Sequence, residues 1–97
     1  MEDNRKKIII LGGGDNQLPL IIESKKLGYY VILCDFRQEN PGKDIADIHY
    51  LVNTLNYEEV LDICKKENPN GIITNSEPAI PIMTKIAAEL GLVGNSV

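Results

Sequence analysis

The chain has 97 residues, 43% of them hydrophobic, which is enough for one domain with a modest folded core. Its formal net charge of −4 argues against nucleic acid as a partner, because phosphate binding needs a basic surface. No apolar run approaches the roughly 20 residues of a membrane-spanning helix, and residues 1–7 lack the apolar segment of a signal peptide, so no membrane contact is expected.

The first predicted elements are a buried strand, a glycine turn and the start of a helix. Residues 8–11 are four consecutive aliphatic residues, three of them β-branched, which is typical of a strand covered on both faces. The three glycines at 12–14 allow a sharp turn and a close approach of the backbone to a bound group. Pro19 cannot donate an intrahelical hydrogen bond, so Asn16 is the earliest possible N-cap. Residues 12–15 are therefore predicted to form an exposed loop.

Helix one is predicted over residues 17–27, with Gly28 directly after its end. Five side chains at helical spacing are predicted to form its inner face: Gln17, Leu20, Ile21, Ser24 and Leu27. Leu18 and Ile22 lie on another side of the helix and leave apolar surface uncovered. Further chain or a partner could cover that surface, so a homodimer is left open.

The middle of the chain predicts a second strand followed by a long loop. Residues 30–34 form strand two, which ends at Asp35. Residues 36–47 are polar and are predicted to form the loop, with one helical turn near residues 44–47. Its charged residues are expected to be solvated: Arg37, Asp44 and Asp47.

The second half of the chain predicts two more strands and two more helices. A short strand three at residues 49–52 precedes helix two, for which Asn56 and Glu59 have the spacing of a capping box. Strand four covers residues 71–74. Helix three begins no earlier than about Ala79, because Pro81 must lie in its first turn.

This alternation of strands and helices predicts an α/β fold, a Rossmann-like open parallel sheet with strand order 3-2-1-4 and helices on both faces. Ligands of such sheets bind beyond the carboxyl ends of the strands, where the strand order reverses. Here the reversal falls between strands one and four. The loops at residues 12–15 and 75–78 are therefore predicted to meet there.

Neither cysteine nor histidine points to a reactive centre. Cys34 and Cys64 are too few for a disulfide framework and are predicted to be buried free thiols, which suits a reducing cytoplasm. His49 has no catalytic or metal-ligating partner nearby in the sequence and is expected to be structural. No metal site is predicted.

Residues 12–17 come close to the G-x-G-x-x-G fingerprint of dinucleotide-binding folds. Gln17 replaces the third glycine, whose role is close packing of helix against strand. Asp35 lies at the end of strand two, where a carboxylate that binds the ribose is expected. A dinucleotide-binding domain of an oxidoreductase, with Asp35 as its cofactor-binding residue, is one alternative. A binding or assembly domain without ligand chemistry is another.

The loop after strand four offers polar side chains at the predicted ligand-binding edge. Glu77 could bind an amine or hydroxyl group of a substrate, and Asn75 and Ser76 add further polar contacts. The alternative is that Glu77 is a solvated acid, favoured at the start of a helix by the helix dipole.

Taken together, these segments resemble the N-terminal domain of ATP-grasp ligases, the pre-ATP-grasp domain. The resemblance covers nearly all of the chain and depends on the order and spacing of its segments, since no single motif is specific. The segments are residues 8–14, 27–35, 40–43, 46–47, 71–74, 77–81 and 90–95. The most telling are Asn40-Pro41-Gly42 after strand two and Val93-Gly94-Asn95 near the end.

The ligases that this chain resembles include the large subunit of carbamoyl phosphate synthetase, biotin carboxylase and purine-pathway ligases. The resemblance implies an enzyme that uses ATP to activate a carboxylate as an acylphosphate, which an amine or similar nucleophile then attacks. It implies that ATP and Mg²⁺ are bound by two later domains that residues 1–97 do not contain. The chain is therefore expected to be a pre-ATP-grasp domain without its catalytic partner domains, inactive alone and binding no cofactor tightly.

The resemblance also implies a small-molecule substrate site on this domain. Residues 13–15 match the loop that approaches the substrate in the purine ligases, Gln17 matches a glutamine often found there, and Glu77 matches the acidic residue that contacts the acceptor. The pair at residues 15–16 departs from the purine enzymes, which leaves the substrate open. The predicted substrate-binding residues are Gly13, Gly14, Asp15, Gln17, Asn75, Ser76 and Glu77.

Overall fold

The structure is a computed structural model that describes residues 4–94. Its strands and helices are β1 (Lys7–Leu11), α1 (Leu18–Lys26), β2 (Tyr30–Asp35), β3 (Ile48–Leu51), α2 (Tyr57–Glu67), β4 (Gly71–Ile73) and α3 (Ile80–Leu90). Short 3₁₀ turns at Asp15–Gln17 and Glu77–Ala79 lead directly into α1 and α3. None of the helices in this range has the length and apolar character to cross a membrane.

The four strands form one parallel sheet in the order β3-β2-β1-β4, as predicted. The central strand β1 places Ile9 between Ile32 of β2 and Ile72 of β4. All three of these side chains are fully buried. The apolar run at residues 8–11 of β1 follows from this position, because strand residues with neighbours on both edges and helices on both faces are shielded from water. The strand order reverses between β1 and β4, as predicted.

Helices cover both faces of the sheet, as predicted, since successive strand residues point to opposite sides. Ile8 and Ile10 share one core cluster with Ile21 of α1. Ile9 shares the other, larger cluster with residues of α2 and α3, among them Ile86. The sheet therefore has one helix on one face and two on the other.

Both cysteines lie in the larger cluster as free thiols, which confirms their predicted burial. Burial raises the pKa of both thiols, that of Cys64 to about 11. Both are therefore protonated at neutral pH and act as small apolar side chains. The cytoplasmic location that these thiols suggest stays a prediction.

The start of α1 differs from the prediction. Asn16 is not an N-cap, because it lies inside the 3₁₀ turn at Asp15–Gln17, which follows Gly14. Pro19 then lies in the first turn of α1, as its missing N–H requires. Leu27 was predicted to lie on the inner face, but it is 70% exposed. It is the C-cap of α1, and the positive φ of Gly28 turns the chain away directly after it.

The start of α2 has the predicted N-cap, Asn56, with one of the two hydrogen bonds of the expected capping box. Asn56 Oδ1 accepts the backbone N–H of Glu59 at 3.2 Å. We expect Asn56→Ala to lower the free energy of unfolding by about 1 kcal/mol, because an N-terminal N–H loses its acceptor. Asn56→Ser can replace that acceptor and should keep most of the stability. Urea denaturation measures both variants, and an equal loss in the two would contradict the capping role.

Candidate functional site

The loops that follow β1 and β4 meet at the carboxyl edge of the sheet, as predicted. Gln17 Nε2 donates to Asn75 Oδ1 at 2.9 Å, and Asn75 Nδ2 donates to the backbone oxygen of Asn16 at 2.7 Å. The other end of the Gln17 amide, Oε1, accepts the N–H of Gly14 at 3.1 Å. The Gln17–Asn75 bridge thus closes the glycine turn and joins it to the loop after β4.

The glycine turn, residues 12–14, packs against the turn at residues 40–42. A Cβ atom on Gly13 would lie 2.3 Å from Asn40 Oδ1, and one on Gly42 would lie 3.2 Å from the Cα of Gly13. The N–H of Gly42 donates to the carbonyl of Gly13 at 2.8 Å. A side chain at Gly13 would collide with Asn40 and Leu33, and one at Gly42 with Ile21, so the close packing of the two turns leaves no room for a Cβ at either position.

The N–H groups of the glycine turn are all bonded inside the protein. Gly12 donates to the carbonyl of Cys34 at 2.7 Å, Gly13 to Asp35 Oδ2 at 2.7 Å, and Gly14 to Gln17 as described. These groups are not free to bind a phosphate, although a glycine turn at this place suggests such a role. Residues 12–15 were predicted to form an exposed loop, but Gly13 and Gly14 are buried against Asn40, Leu33 and Arg37. Their contact with a substrate stays a prediction.

Asp35 accepts hydrogen bonds from both the glycine turn and the loop after β2. Its side chain is 4% exposed. It accepts the N–H of Gly13 at 2.7 Å and three bonds from Arg37, through the backbone N at 2.7 Å, Nε at 3.1 Å and Nη2 at 2.9 Å. Burial raises the pKa of this carboxyl, but the hydrogen bonds from Arg37 and Gly13 outweigh burial and hold its pKa below the ordinary 3.8. Asp35 is therefore ionised and fully occupied.

Two loop residues expected to be solvated charges have fixed partners instead. Arg37 is bound to Asp35, as described. Asp47 accepts the N–H of Val31 at 2.8 Å and the Nζ of Lys25 at 2.7 Å. The expectation was wrong because Arg37 faces the carboxylate at the end of β2 and Asp47 faces the N–H of Val31 near the start of β2, contacts that the sequence pattern does not show. The third loop charge, Asp44, is exposed as expected.

Sequence reasoning gave Asn40 no role in the site. This residue is 9% exposed, donates to the carbonyl of Arg37 at 3.0 Å and accepts the N–H of Lys43 at 2.9 Å. It holds the turn at residues 40–42 in the shape that packs against Gly13. The Asn-Pro-Gly motif was the available signal, since asparagine at the start of a turn bonds to the backbone that follows.

Two exposed carboxylates begin the turns that lead into the helices. Asp15 is the first residue of the turn before α1, and Glu77 is the first residue of the turn before α3. Neither side chain accepts a hydrogen bond from any residue in the range 4–94. Ser76 lies beside Glu77 and donates its N–H to Thr74 Oγ1 at 3.0 Å. The edge therefore presents two carboxylates that are free to bind a ligand.

Comparison with known proteins identifies the domain. No protein-family model matches the chain. It is 35% identical over 92 residues to the formate-dependent phosphoribosylglycinamide formyltransferase of Prochlorococcus marinus, a match that covers 94% of the chain and 24% of that relative. Phosphoribosylglycinamide synthetase from Anaerococcus prevotii superposes with a TM-score of 0.83 at 28% identity, over 93% of the chain and 23% of that structure. The chain is a pre-ATP-grasp domain.

A second solved structure agrees with this assignment. N5-carboxyaminoimidazole ribonucleotide synthetase from Thermotoga maritima matches the pre-ATP-grasp domain with a TM-score of 0.76 at 28% identity, over 92% of the chain and 24% of that structure. The domain spans about a quarter of the length of the curated relatives that it matches. The Rossmann-like fold predicted from the sequence is thus also the fold of these relatives.

The pre-ATP-grasp domain shows no metal-binding cluster in the part of the chain that the structure describes. No group of three or more His, Cys, Asp or Glu residues there could hold a metal ion. His49 Nε2 lies 3.0 Å from the backbone oxygen of Asp35, a contact that fits a structural role. Asp35 has no unoccupied oxygen for a ribose hydroxyl, so the geometry does not favour the dinucleotide alternative.

The role of Asp35 in stability can be measured against pH. We expect Asp35→Asn to lower the free energy of unfolding by about 1–3 kcal/mol at neutral pH, because buried charge-assisted hydrogen bonds are lost. The pKa of Asp35 is lower in the folded chain than its ordinary 3.8. The contribution of the Asp35 carboxylate to the free energy of unfolding is therefore complete above about pH 4 and is lost as the pH falls further.

Urea unfolding at about pH 7 and about pH 3 tests this expectation, because the gap between wild type and variant should narrow at the lower pH. Asp62→Asn, which changes an exposed carboxylate on α2, is the matched control and should stay close to wild type at neutral pH. A constant gap at both pH values would contradict the role given to the carboxylate.

The Gln17–Asn75 bridge can be tested by a double-mutant cycle. We expect Gln17→Ala and Asn75→Ala each to lower the free energy of unfolding by about 0.5–1.5 kcal/mol. The double variant should lose less than the sum of the two, with a coupling of about 0.5 kcal/mol or more, since each substitution removes the same contact. Thermal or urea unfolding provides the measurement. Additive losses would show that the two loops are held together by something else.

Proposed function

We propose that this domain forms the substrate-side wall of the active site in an ATP-dependent ligase. The parent enzyme activates a carboxylate as an acylphosphate for attack by an amine or similar nucleophile. The observation that carries this proposal is the Gln17–Asn75 bridge. It joins the loops after β1 and β4 at 2.9 Å, at the edge where open α/β sheets bind ligands. The similarity to enzymes named for phosphoribosylglycinamide supports an acceptor that carries an amine.

Glu77 is proposed to bind the amine of the acceptor. Its exposed carboxylate has no partner within residues 4–94 and accepts an N–H of the amine. That hydrogen bond orients the nitrogen lone pair toward the acyl carbon, and holding reactants in this way lowers the barrier of a bimolecular step. Asp15, on the adjoining turn, is the second carboxylate available to the acceptor.

The other predicted site residues are proposed to shape the site around the acceptor. Gln17 and Asn75 fill most of their hydrogen-bonding capacity with each other and with the backbone, so they position the two loops. Gly13 and Gly14 are buried and shape the turn that leads to Asp15, and Ser76 has a hydroxyl beside Glu77. A substrate placed at this edge contacts exposed residues of two loops at once.

ATP and Mg²⁺ are proposed to be held by later domains of the parent enzyme. The described residues contain no group of carboxylates suited to Mg²⁺, and the glycine N–H groups are bonded within the protein. In the overall reaction a carboxylate oxygen takes the γ-phosphoryl group and ADP leaves. The amine nitrogen then bonds to the acyl carbon, and phosphate and a proton leave. The chain alone is proposed to be inactive, with the later domains as its partners.

The role of Glu77 predicts a selective loss of activity. In the protein expressed from the whole reading frame, Glu77→Gln should lower kcat/KM for the acceptor about 10-fold to 100-fold, while the KM for ATP stays unchanged. The readout is ADP formation that depends on both carboxylate and amine. Formate with phosphoribosylglycinamide is the first pair to try, because a relative is named for it.

Glu23→Gln is the matched control, because it removes an exposed carboxylate from the second half of α1, which runs away from the carboxyl edge of the sheet. It should leave the kinetics unchanged. Equal activity of Glu77→Gln and wild type would overturn the role of Glu77. The ligase proposal would be overturned if no carboxylate and amine pair tested gave ADP formation that depends on the amine.

A further inference from the structure

Arg37 is a cation held in a fixed position next to the glycine turn. Its Nε and Nη2 atoms donate to Oδ1 and Oδ2 of Asp35 at 3.1 Å and 2.9 Å. The carboxylate that holds it has a side-chain exposure of 4% and also accepts the N–H of Gly13. The guanidinium group is therefore oriented before any ligand arrives, so little side-chain entropy remains to be lost on binding.

The outer side of this guanidinium group has free hydrogen-bond donors. A guanidinium group has five N–H bonds, and Asp35 takes up one on Nε and one on Nη2. No acceptor within residues 4–94 takes up the remaining N–H bonds on Nη1 and Nη2. The side chain is 45% exposed. Arg37 therefore combines a fixed position with donors that face water.

The same group lies against the proposed acceptor site. Its Nη2 atom lies 2.9 Å from the position that a Cβ atom on Gly14 would occupy, so the missing side chain of Gly14 lets the cation approach the turn. The hydrogen bonds and charge of Asp35 raise the pKa of Arg37, and the charge of the next residue along the turn, Asp15, adds to them. The edge thus presents a cation beside a carboxylate.

We propose that Arg37 binds an anionic oxygen group of the acceptor, a phosphate or a carboxylate, through the free N–H bonds of Nη1 and Nη2. This inference rests on the proposed function, since it assigns the acceptor to the same edge. Guanidinium groups bind such oxyanions through paired hydrogen bonds that a lysine does not reproduce. Without this cation, Asp15 and Glu77 would repel an anionic ligand. The acceptor is therefore a molecule with an amine at one end and an oxyanion at the other.

Titration of the 97-residue chain with anions tests the proposal. Inorganic phosphate and acetate are added separately at constant ionic strength, and ¹H–¹⁵N spectra follow the Arg37 Nε–H and the backbone N–H of Asp15. We expect a saturable shift of both signals. Stronger binding of phosphate assigns a phosphate group to the acceptor, and stronger binding of acetate assigns a carboxylate. No saturable shift at Arg37 with either anion would overturn the proposal.

Substitutions distinguish anion binding at Arg37 from a general attraction of anions to positively charged side chains. Arg37→Gln should weaken binding about tenfold or more, because a charge-assisted pair of hydrogen bonds is lost. Lys65→Gln removes one exposed cation from α2 and should leave binding unchanged. If Arg37→Gln does not fold, Arg37→Lys takes its place, because it keeps a positive charge beside Asp35. The lysine variant should bind the anion several-fold more weakly than wild type. Wild-type affinity in a folded Arg37 variant would overturn the proposal.

The anion titration and the Glu77 kinetics can each reject one proposal without rejecting the other. Loss of activity in Glu77→Gln together with no anion shift at Arg37 would reject the anion site and leave the ligase proposal standing. A shift at Arg37 in a parent protein without amine-dependent ADP formation would reject the ligase proposal, and with it the assignment of the anion to an acceptor.

Discussion

A buried carboxylate that must be fully hydrogen-bonded is the constraint on which this edge of the molecule depends. Asp35 ends the second strand, in which the four residues before it are apolar and buried, and an unpaired charge there would be costly. It is satisfied only when the glycine turn supplies the N–H of Gly13 and the loop after β2 supplies the backbone and side chain of Arg37. The Asp35 carboxylate thus fixes the conformations of two separate loops.

A second set of polar contacts fixes the remaining loop of the edge. The side chain of Gln17 contacts the glycine turn with its oxygen and Asn75 with its nitrogen, while Thr74 Oγ1 donates to the carbonyl of Leu11 at 2.7 Å. The loops after β1, β2 and β4 therefore form one connected surface. Three charged side chains are exposed on this surface: Asp15, Arg37 and Glu77. Asp15 and Glu77 take no part in the structural hydrogen bonds, and Arg37 keeps N–H bonds that Asp35 does not use, which is the basis for assigning them to a ligand.

The elements of the fold were predictable because they follow from local chemistry. The aliphatic run at residues 8–11 requires a strand with cover on both faces, and Pro19 and Asn56 limit where helices begin. The meeting of the loops after β1 and β4 followed from topology alone. The contacts of Arg37, Asn40 and Asp47 could not be predicted in this way. They join side chains to loops whose paths have no periodicity, and a charge in a polar loop looks the same in sequence whether it is solvated or bound.

The N–H groups of the glycine turn all find acceptors within the domain, on Cys34, Asp35 and Gln17. A turn that needs no ligand to complete its hydrogen bonds keeps its shape when the ligand changes. The side chains that remain free, at residues 15 and 77, begin 3₁₀ turns and contribute no hydrogen bond to the scaffold within the described residues. They can be replaced at little cost to folding. One framework can therefore serve enzymes with different acceptors, with specificity set by a few exposed positions and stability by buried ones.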